Sequence, residues 1–320
     1  MKRWSWLTLA FFSLSPLVVQ AAEYPTKPIH LIIPFKAGGS ADTEGRVIAK
    51  AAEKILGQPV VPVNKPGAGG GIAYTFVKNA KPDGYTVAWN STSVLTSTNL
   101  GTAPFPYTAL DHVARVSMQS MPIAVKADSP WKTIQEFIAY AKKNPGMVRV
   151  GNASPGSATH ITAVAVADAV GIKVIHVPLG SGRRIPALLR GEVEAVCVPL
   201  PEAAKHVQAG TVRLLAVPSE RRDPLAPDVP TLKELGYPAA IELFRGLSVP
   251  KGTPPAVIQK LAEAFRQAAH SAQFKAMGQK RGYSVAYLGP DEFSTLLATQ
   301  NALIAKTVKK AGIKAKKKKK

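Results

Sequence analysis

The stretch "IHLIIPFKAGGSADTEGRVIA", residues 29–49, decides the fold class. It begins with a continuous apolar run, as expected of a strand that is covered on both faces of a parallel sheet. A loop with two adjacent glycines follows, and apolar residues then recur at helical spacing until Gly57. A glycine-bearing loop before a helix leaves backbone N–H groups free to bind an anion. The stretch therefore predicts a strand, an anion-binding loop and a helix.

The same order recurs along the chain. Apolar runs at 59–64 and 85–91 predict two more strands with a helix between them, and a βαβαβ order is typical of a parallel α/β sheet. The pattern restarts near residue 122 and continues to about 245, which predicts a second α/β unit. Helical patterns at 255–278 and 290–310 are expected to pack back on the first unit.

The predicted fold class is therefore α/β, with two domains, two chain crossings and a ligand cleft between the domains. The expected parts are a signal peptide at 1–22, a discontinuous domain one at 23–122 plus 246–312, domain two at 123–245, and a lysine-rich tail at 313–320.

The amino terminus has the features of a secretory leader. Lys2 and Arg3 precede an apolar stretch that ends near Val19, and small residues follow at Ala21 and Ala22. This pattern predicts a cleaved signal peptide and a periplasmic protein. An uncleaved membrane anchor is the alternative, but the apolar run is short for a span.

The net charge of +21 is concentrated at the chain ends. The leader carries two of these charges, and nine lysines lie between Lys306 and Lys320, so the remainder of the chain carries about +10. No basic-aromatic motif accompanies the charge, so we expect no nucleic-acid binding. A moderately basic body instead favours a small acidic ligand. The single cysteine, Cys197, has no metal-ligand spacing and is expected to be a buried structural thiol.

Glycine-rich turns follow four predicted strands. Ligands of open parallel sheets bind at the carboxyl ends of strands, so four such turns in two units predict a closed anion cleft. The turns are "PFKAGGSAD" (34–42), "NKPGAGGGI" (64–72), "GNASPGSATH" (151–160) and "PLGSGRR" (178–184).

Common catalytic and cofactor motifs do not match these turns. Ile72 and Ile185 stand where a dinucleotide fingerprint needs its third glycine, and no loop ends in Gly-Lys-Ser/Thr. We therefore expect no nucleotide cofactor, and without an HExxH motif or a histidine cluster we expect no metal. A hydrolase that uses Ser154 or Ser157 is an alternative, with His160 three residues from Ser157.

Other polar and aromatic residues near these turns can be interpreted as structural residues or as parts of the site. Asp42 and Arg46 are four residues apart, which suits an intrahelical pair at a helix start. His160 is either a hydrogen-bonded structural residue or a ligand contact, and the same holds for His176. Phe35 and Phe244 either line the cleft or belong to the core.

Seven sequence blocks together resemble one family, the substrate-binding proteins of tripartite tricarboxylate transporters, known as TctC or Bug proteins. They occur in the family's order and cover the chain from Tyr24 to about Lys310. The blocks are "YPTKPIHLIIPFKAGGSADTEGRVIA", "LGQPVVPVNKPGAGGGIA", "PDGYTVAW", "FIAYAKKNPGMVRVGNASPGSATHI", "HVPLGSG", "GTVRLLAVPSERRDPLAPDVPTLKELGYP" and "LSVPKGTPPAVIQKL".

The resemblance implies a two-domain periplasmic-binding-protein fold of the Venus-flytrap type. It implies a receptor without catalytic activity that binds a small organic carboxylate by hinge closure, as a monomer, and delivers it to membrane permease subunits. The implied ligand-binding positions are Phe35, Gly38, Gly39, Ser40, Ala41, Asp42, Ser91, Thr92, Gly156, Ser157, Ala158, Thr159 and His160, completed by Gly180 and Ser181 in the loop after "HVP". Lys36, at the edge of the first loop, is a further candidate for steering or direct contact.

The sequence departs from the family in that last loop. Leu179 stands where an aromatic residue is usual, and Arg183 and Arg184 enter. Lys36 also replaces an uncharged residue. We therefore hypothesise that Arg183 or Arg184 recognises a second carboxylate, with a di-, tri- or aromatic acid as ligand. A ligand-sensing module for a membrane signalling partner is a further alternative.

Overall fold

A computed structural model describes residues 24–153, 155–180 and 182–313. The predicted signal peptide, Ser154, Ser181 and residues 314–320 of the predicted tail lie outside this range. The strands are β1 Ile29–Ile33, β2 Val60–Asn64, β3 Thr86–Ser91, β4 Leu110–Gln119, β5 Ile123–Lys126, β6 Arg149–Asn152, β7 Ile175–Pro178, β8 Ala195–Cys197, β9 Val212–Ala216, β10 Leu243–Pro250 and β11 Ser284–Leu288. The helices are α1 Ser40–Leu56, α2 Gly71–Lys78, α3 Ser93–Asn99, α4 Ile134–Lys143, α5 Ala158–Val170, α6 Arg184–Leu189, α7 Leu200–Gln208, α8 Pro255–His270, α9 Ala272–Arg281 and α10 Pro290–Lys310.

The first sheet has six strands in the order β11-β4-β10-β3-β1-β2. The predicted parallel pairing is confirmed for β1 with β2 and β3. It is wrong for the rest of this sheet, because β10 pairs antiparallel with both β3 and β4, and β11 pairs antiparallel with β4. These antiparallel strands come from chain segments that sequence periodicity did not identify as strands.

The second sheet has five strands in the order β7-β6-β8-β5-β9. Its strands β6, β7 and β8 run parallel, and β5 runs antiparallel to β8 and β9. The chain passes from the first sheet to the second between β4 and β5 and returns between β9 and β10. The second sheet is therefore inserted within the sequence of the first.

Helix α1 follows the predicted pattern closely. Its carboxyl end is capped by Gly57, whose φ of 68° and backbone N–H bond to Glu53 O form a left-handed cap. Gly45 lets the helix approach the sheet, since a Cβ there would lie 2.9 Å from Ile33 Cδ1 and 3.1 Å from Trp89 Cδ1. The helix is thus held close to the end of β1, where the first glycine loop begins.

The carboxyl-terminal helices differ from expectation in one detail. The predicted helix at 255–278 is divided at Ser271, which has extended backbone and accepts a hydrogen bond from Phe274 N–H to cap α9. The N-cap position of α8 is Pro254, and the hydroxyl of the preceding Thr253 donates to Pro250 O at 2.7 Å.

Helix α10 contacts both halves of the molecule. Phe293 packs edge-on against Phe244 of β10, with ring centroids 5.2 Å apart. At the other end of the helix, Lys310 forms an ion pair with Asp168 of α5. Phe244 is fully buried, so it belongs to the core and does not line a cleft.

Two buried carboxylates tie the chain crossings to the first sheet. Asp223, which is 0% exposed, accepts hydrogen bonds from Ser120 N–H at 3.3 Å and from Ser284 Oγ at 2.9 Å. Glu242 pairs with Arg115 of β4 at 2.7 Å. Both crossings are therefore anchored next to β4 and β11. Among the described residues, no helix is long and apolar enough to span a membrane.

We expect Gly246→Ala to destabilise the protein, because β10 lies tightly between its neighbours. A Cβ at Gly246 would lie 2.5 Å from Ala114 O and 2.8 Å from Phe293 Cζ. Overpacking of this kind costs about 1–3 kcal/mol in the free energy of unfolding. Gly289→Ala is the matched control, since nothing lies within 4 Å of its Cβ position, and it should cost about 1 kcal/mol or less. Urea unfolding followed by circular dichroism measures both, and equal losses would contradict the tight packing of β10.

Candidate functional site

A cleft of ≈ 640 Å³ lies where the loops of the two sheets face each other. One wall comes from the first sheet, through the loop after β1, the end of β3, helix α3 and strand β10. The other wall comes from the turn that precedes α5 in the second unit. The lining residues are Phe35, Gly69, Ser91, Ser93, Thr96, Ser97, Leu100, Thr102, Pro155, Gly156, Ser157, Ala158, Leu243 and Arg245.

A second cavity of similar volume, ≈ 650 Å³, lies between β9, α7 and residues 225–230. None of the residues that the sequence predicted for the site line it. We therefore take the cleft between the two sheets as the candidate site, because the predicted glycine loops meet there.

Arg245 is the one charged residue among those that line the cleft. It is 8% exposed, and its backbone is paired with Ser91 of β3 and Ser117 of β4. Its guanidinium carbon lies 5.8 Å from the centroid of the Phe35 ring. The buried Nε atom has no hydrogen-bond partner in the part of the chain that the structure describes. A buried donor without a hydrogen-bond partner is costly, so this cation needs compensation from its surroundings.

Glu44 of α1 lies behind Arg245. The Arg245 Nε and Glu44 Oε1 atoms are 3.8 Å apart, which permits Coulomb attraction but is too long for a hydrogen bond. The Glu44 carboxylate accepts hydrogen bonds from Ser40 Oγ at 2.8 Å and Ser117 Oγ at 3.1 Å. Burial raises the pKa of the Glu44 carboxyl, and the Arg245 guanidinium opposes that rise. Glu44 therefore holds the arginine in place without occupying its donors.

The first glycine loop contributes less to the cleft than its sequence indicated. Phe35 lines it, but Lys36, Gly38, Gly39 and Ser40 are exposed outside it. The two residues that follow serve the fold: Ala41 O accepts the Trp89 Nε1–H bond at 2.9 Å, and Asp42 is buried.

The Asp42 carboxylate organises this loop. It accepts hydrogen bonds from Gly38 N–H at 2.9 Å, from Arg46 Nε at 3.0 Å and from Asn64 Nδ2 at 2.9 Å. Burial acts to raise the pKa of Asp42, but hydrogen bonds from Arg46, Gly38 and Asn64 outweigh it and lower the pKa to about 2. The intrahelical pair with Arg46 that the spacing predicted is present.

The turn before α5 supplies the opposite wall, through Gly156, Ser157 and Ala158. Thr159 and His160 lie behind this wall and support it. Thr159 Oγ1 accepts a hydrogen bond from Ala153 N–H at 3.0 Å, and His160 Nδ1 accepts one from Gly156 N–H at 3.0 Å.

The remaining predicted positions have structural partners. Ser91 lines the cleft, but Thr92 is buried and its hydroxyl donates to Glu242 O at 2.6 Å. Gly180 N–H donates to Ala153 O at 2.7 Å and lies outside the cleft.

The two arginines of that region do not reach the cleft. Arg184 is 2% exposed, forms an ion pair with Glu202 and donates to Thr159 Oγ1 at 3.2 Å. Arg183 is exposed and is not among the lining residues. The hypothesis that one of them recognises a second carboxylate therefore has no support from their placement. The cation at the cleft is Arg245, which the sequence analysis did not select.

No catalytic arrangement is evident in the described cleft. Ser157 Oγ accepts a hydrogen bond from His160 N–H, and His160 Nδ1 is occupied by Gly156 N–H. Among the described residues, no group of three or more His, Cys, Asp or Glu side chains is placed to hold a metal ion.

We expect Asp42→Asn to cost about 2 kcal/mol at pH 7, because a carboxyl pKa of about 2 lies well below the unfolded value of about 3.9. This stabilisation is fully present above about pH 4 and is lost as the pH falls through about 2. The wild type should therefore lose stability in that window, and the variant should lose less. Asp128→Asn, at an exposed carboxylate, is the control and should change stability by less than about 0.5 kcal/mol. Parallel pH profiles for wild type and Asp42→Asn in urea unfolding would contradict this.

Comparison with known proteins places the chain in a family. Residues 45–313 match the profile of the tripartite tricarboxylate transporter family receptor, TctC. The UPF0065 protein in the gbd 5' region of Cupriavidus necator is 38% identical over 295 residues, which cover 88% of this chain and 87% of that protein. Protein BugT of Bordetella pertussis is 32% identical over 304 residues and covers 93% of each chain.

Solved structures agree with this assignment. A TctC solute-binding protein from Polaromonas superposes with a TM-score of 0.85 at 37% identity, over 90% of this chain and 99% of that one. A Rhodopseudomonas palustris protein with bound malate gives a TM-score of 0.69 at 26% identity, over 89% of this chain and 100% of that one. An R. palustris protein with adipate gives a TM-score of 0.72 at 25% identity, over 91% of this chain and 99% of that one. The two-sheet fold is thus the predicted periplasmic-binding-protein fold, and the chain belongs to the TctC/Bug family of periplasmic solute-binding receptors.

Proposed function

We propose that this protein captures a small organic carboxylate in the cleft and delivers it to the permease subunits of a tripartite tricarboxylate-type transporter in the membrane. The observation that carries the proposal is Arg245, the one charged residue among those that line the cleft, whose Nε has no hydrogen-bond partner among the described residues. A carboxylate accepts hydrogen bonds from a guanidinium in a charge-assisted, often bidentate geometry.

The rest of the lining suits the same ligand class. The positive end of α5 is directed to the cleft through Gly156 and Ala158, and helix amino termini favour anions. Hydroxyl groups of α3 and apolar side chains such as Leu100 and Leu243 complete the lining. A small carboxylate with a partly apolar body therefore fits the cleft. The adipate and malate bound in two relatives are both small organic carboxylates.

Ligand capture is proposed to involve hinge closure. The unit built on the first sheet and the unit built on the second would rotate about the two chain crossings. The expected boundary at 245/246 falls inside β10, so we assign the whole of β10, with Arg245, to the first unit. Arg245 stands on one wall and the turn before α5 on the other, so closure would surround the carboxylate with donors from both sides. We propose that the receptor acts as a monomer in the periplasm, with its leader removed.

We propose that the protein is not an enzyme. A hydrolase with Ser157 as nucleophile would need an imidazole acceptor, but His160 Nδ1 is committed to Gly156 N–H. Ester turnover that is lost in Ser157→Ala or Ser154→Ala would overturn this. The alternative is a receptor that signals to a membrane partner and does not transport. In that case the ligand would bind to the protein, but cells with the cognate permease would not take it up.

The proposal is tested by a thermal-shift screen of mono-, di-, tri- and aromatic carboxylates, followed by calorimetry. A specific ligand should raise Tm, because binding to the native state alone stabilises it. Arg245→Met should weaken binding of that acid at least tenfold, at a loss of about 1.4 kcal/mol or more. Lys36→Met and Arg183→Met, at exposed cations outside the cleft, should leave affinity within about threefold.

Arg245→Met leaves Glu44 buried without its counter-charge, so the double variant Glu44→Gln/Arg245→Met provides a folded comparison. It should bind the acid as weakly as the single variant. If either variant keeps wild-type affinity, Arg245 does not hold the carboxylate. If no carboxylate raises Tm, the receptor binds another class of molecule.

A further inference from the structure

The imidazole ring of His160 is joined to the cleft wall by a backbone amide. Its Nδ1 atom accepts the Gly156 N–H bond at 3.0 Å, and Gly156 is part of the cleft wall. Gly156 has a φ of 76°, in the left-handed region. A Cβ at this position would lie 3.0 Å from Leu100 Cδ1, which belongs to the opposite wall. The two walls of the cleft are therefore close together at this peptide.

The direction of this hydrogen bond fixes the state of the imidazole. An Nδ1 atom that accepts a hydrogen bond carries no proton, so the neutral ring must carry its proton on Nε2. If Nδ1 becomes protonated, two N–H donors face each other and the bond is lost. Only the neutral Nε2–H ring can hold Gly156 in the observed position.

The surroundings of His160 favour the neutral ring. Burial lowers the pKa of His160, and burial together with the His160 ring lowers the pKa of His176 to about 4. The two rings meet edge-on with centroids 5.1 Å apart. The charged groups in the same hollow are Asp168 of α5, Lys173 and Lys310 of α10, and Asp168 is paired with Lys310.

We propose that His160 is a positioning residue: its neutral ring holds Gly156 and the cleft-facing turn of residues 156–158 through Nδ1, and the cleft loses affinity for its ligand when that ring is protonated. The effect on ligand affinity rests on the proposed function, whereas the tautomer of His160 and its hydrogen bond do not. Because the folded-state pKa of His160 is lowered, binding is intact above the ordinary histidine range of about 6.5 and falls only at more acidic pH.

The tautomer is measured without any ligand. Long-range ¹⁵N–¹H correlation spectra of the full mature chain at pH 7.5 should show His160 as the Nε2–H tautomer. The Gly156 amide should exchange slowly with solvent and lose that protection in His160→Gln. An Nδ1–H tautomer, or a Gly156 amide whose exchange is unchanged in His160→Gln, would overturn the proposal.

Two amide variants separate positioning from general structural damage. An Asn amide oxygen stands near the place of Nδ1 and can accept from Gly156, whereas a Gln side chain extends toward the place of Nε2. With adipate and malate as probes in calorimetry at pH 7.5, His160→Asn should stay within about threefold of wild type and His160→Gln should bind at least tenfold more weakly.

The pH profile supplies the second readout. Wild-type affinity should fall as the solution is acidified below the pKa of His160, whereas His160→Asn, which cannot titrate, should keep its affinity over the same range. Equal effects of both variants, or the same acid profile for wild type and His160→Asn, would overturn the positioning role. If wild type binds no carboxylate at all but shows the Nε2–H tautomer and a protected Gly156 amide, the proposed function fails while His160 still positions the turn.

Discussion

The antiparallel insertion of β10 between β3 and β4 is the constraint on which the rest of the structure depends. It returns the chain to the first sheet after the second sheet is complete, so the strands of the first sheet come from both sides of the second in the sequence. It also carries Arg245 to the cleft and Phe244 into the core against Phe293. The buried ion pair between Glu242 and Arg115 holds the amino-terminal end of β10 against β4. A binding cleft with walls from two sheets thus follows from the register of one strand.

The sequence predicted those parts of the fold that depend on local pattern. The apolar run of β1, the helical spacing of α1 and the cap at Gly57 are local signals, and the structure confirms each of them. The glycine turns and the family resemblance also indicated loops of the candidate cleft, whose lining includes Phe35, Ser91 and residues 156–158. The parallel pairing expected throughout the first sheet failed at β10, because pairing with β3 and β4 depends on contacts distant in sequence.

Three features of the site needed three-dimensional information. Arg245 was a single basic residue inside an apolar run, "LFRGLSVP", and a charge in such a run was the available signal. Arg183 and Arg184 drew attention because they stand after a glycine turn, but the ion pair of Arg184 with Glu202 commits it to the fold. The sequence left His160 open between a hydrogen-bonded structural residue and a ligand contact, and the structure places its ring behind the cleft wall, on the Gly156 amide. Residue type indicated the region, but only the hydrogen-bond partners indicated the role.

The insertion of the second sheet also determines when the first can form. Asn90 of β3 bonds to Ser248 of β10 across 158 residues of sequence, and contacts of such separation form late because they close a long loop. A chain that emerges amino end first therefore presents β1, β2 and β3 with one edge of the sheet unpaired until β10 arrives. The first sheet cannot be completed while the carboxyl-terminal quarter of the chain is still missing.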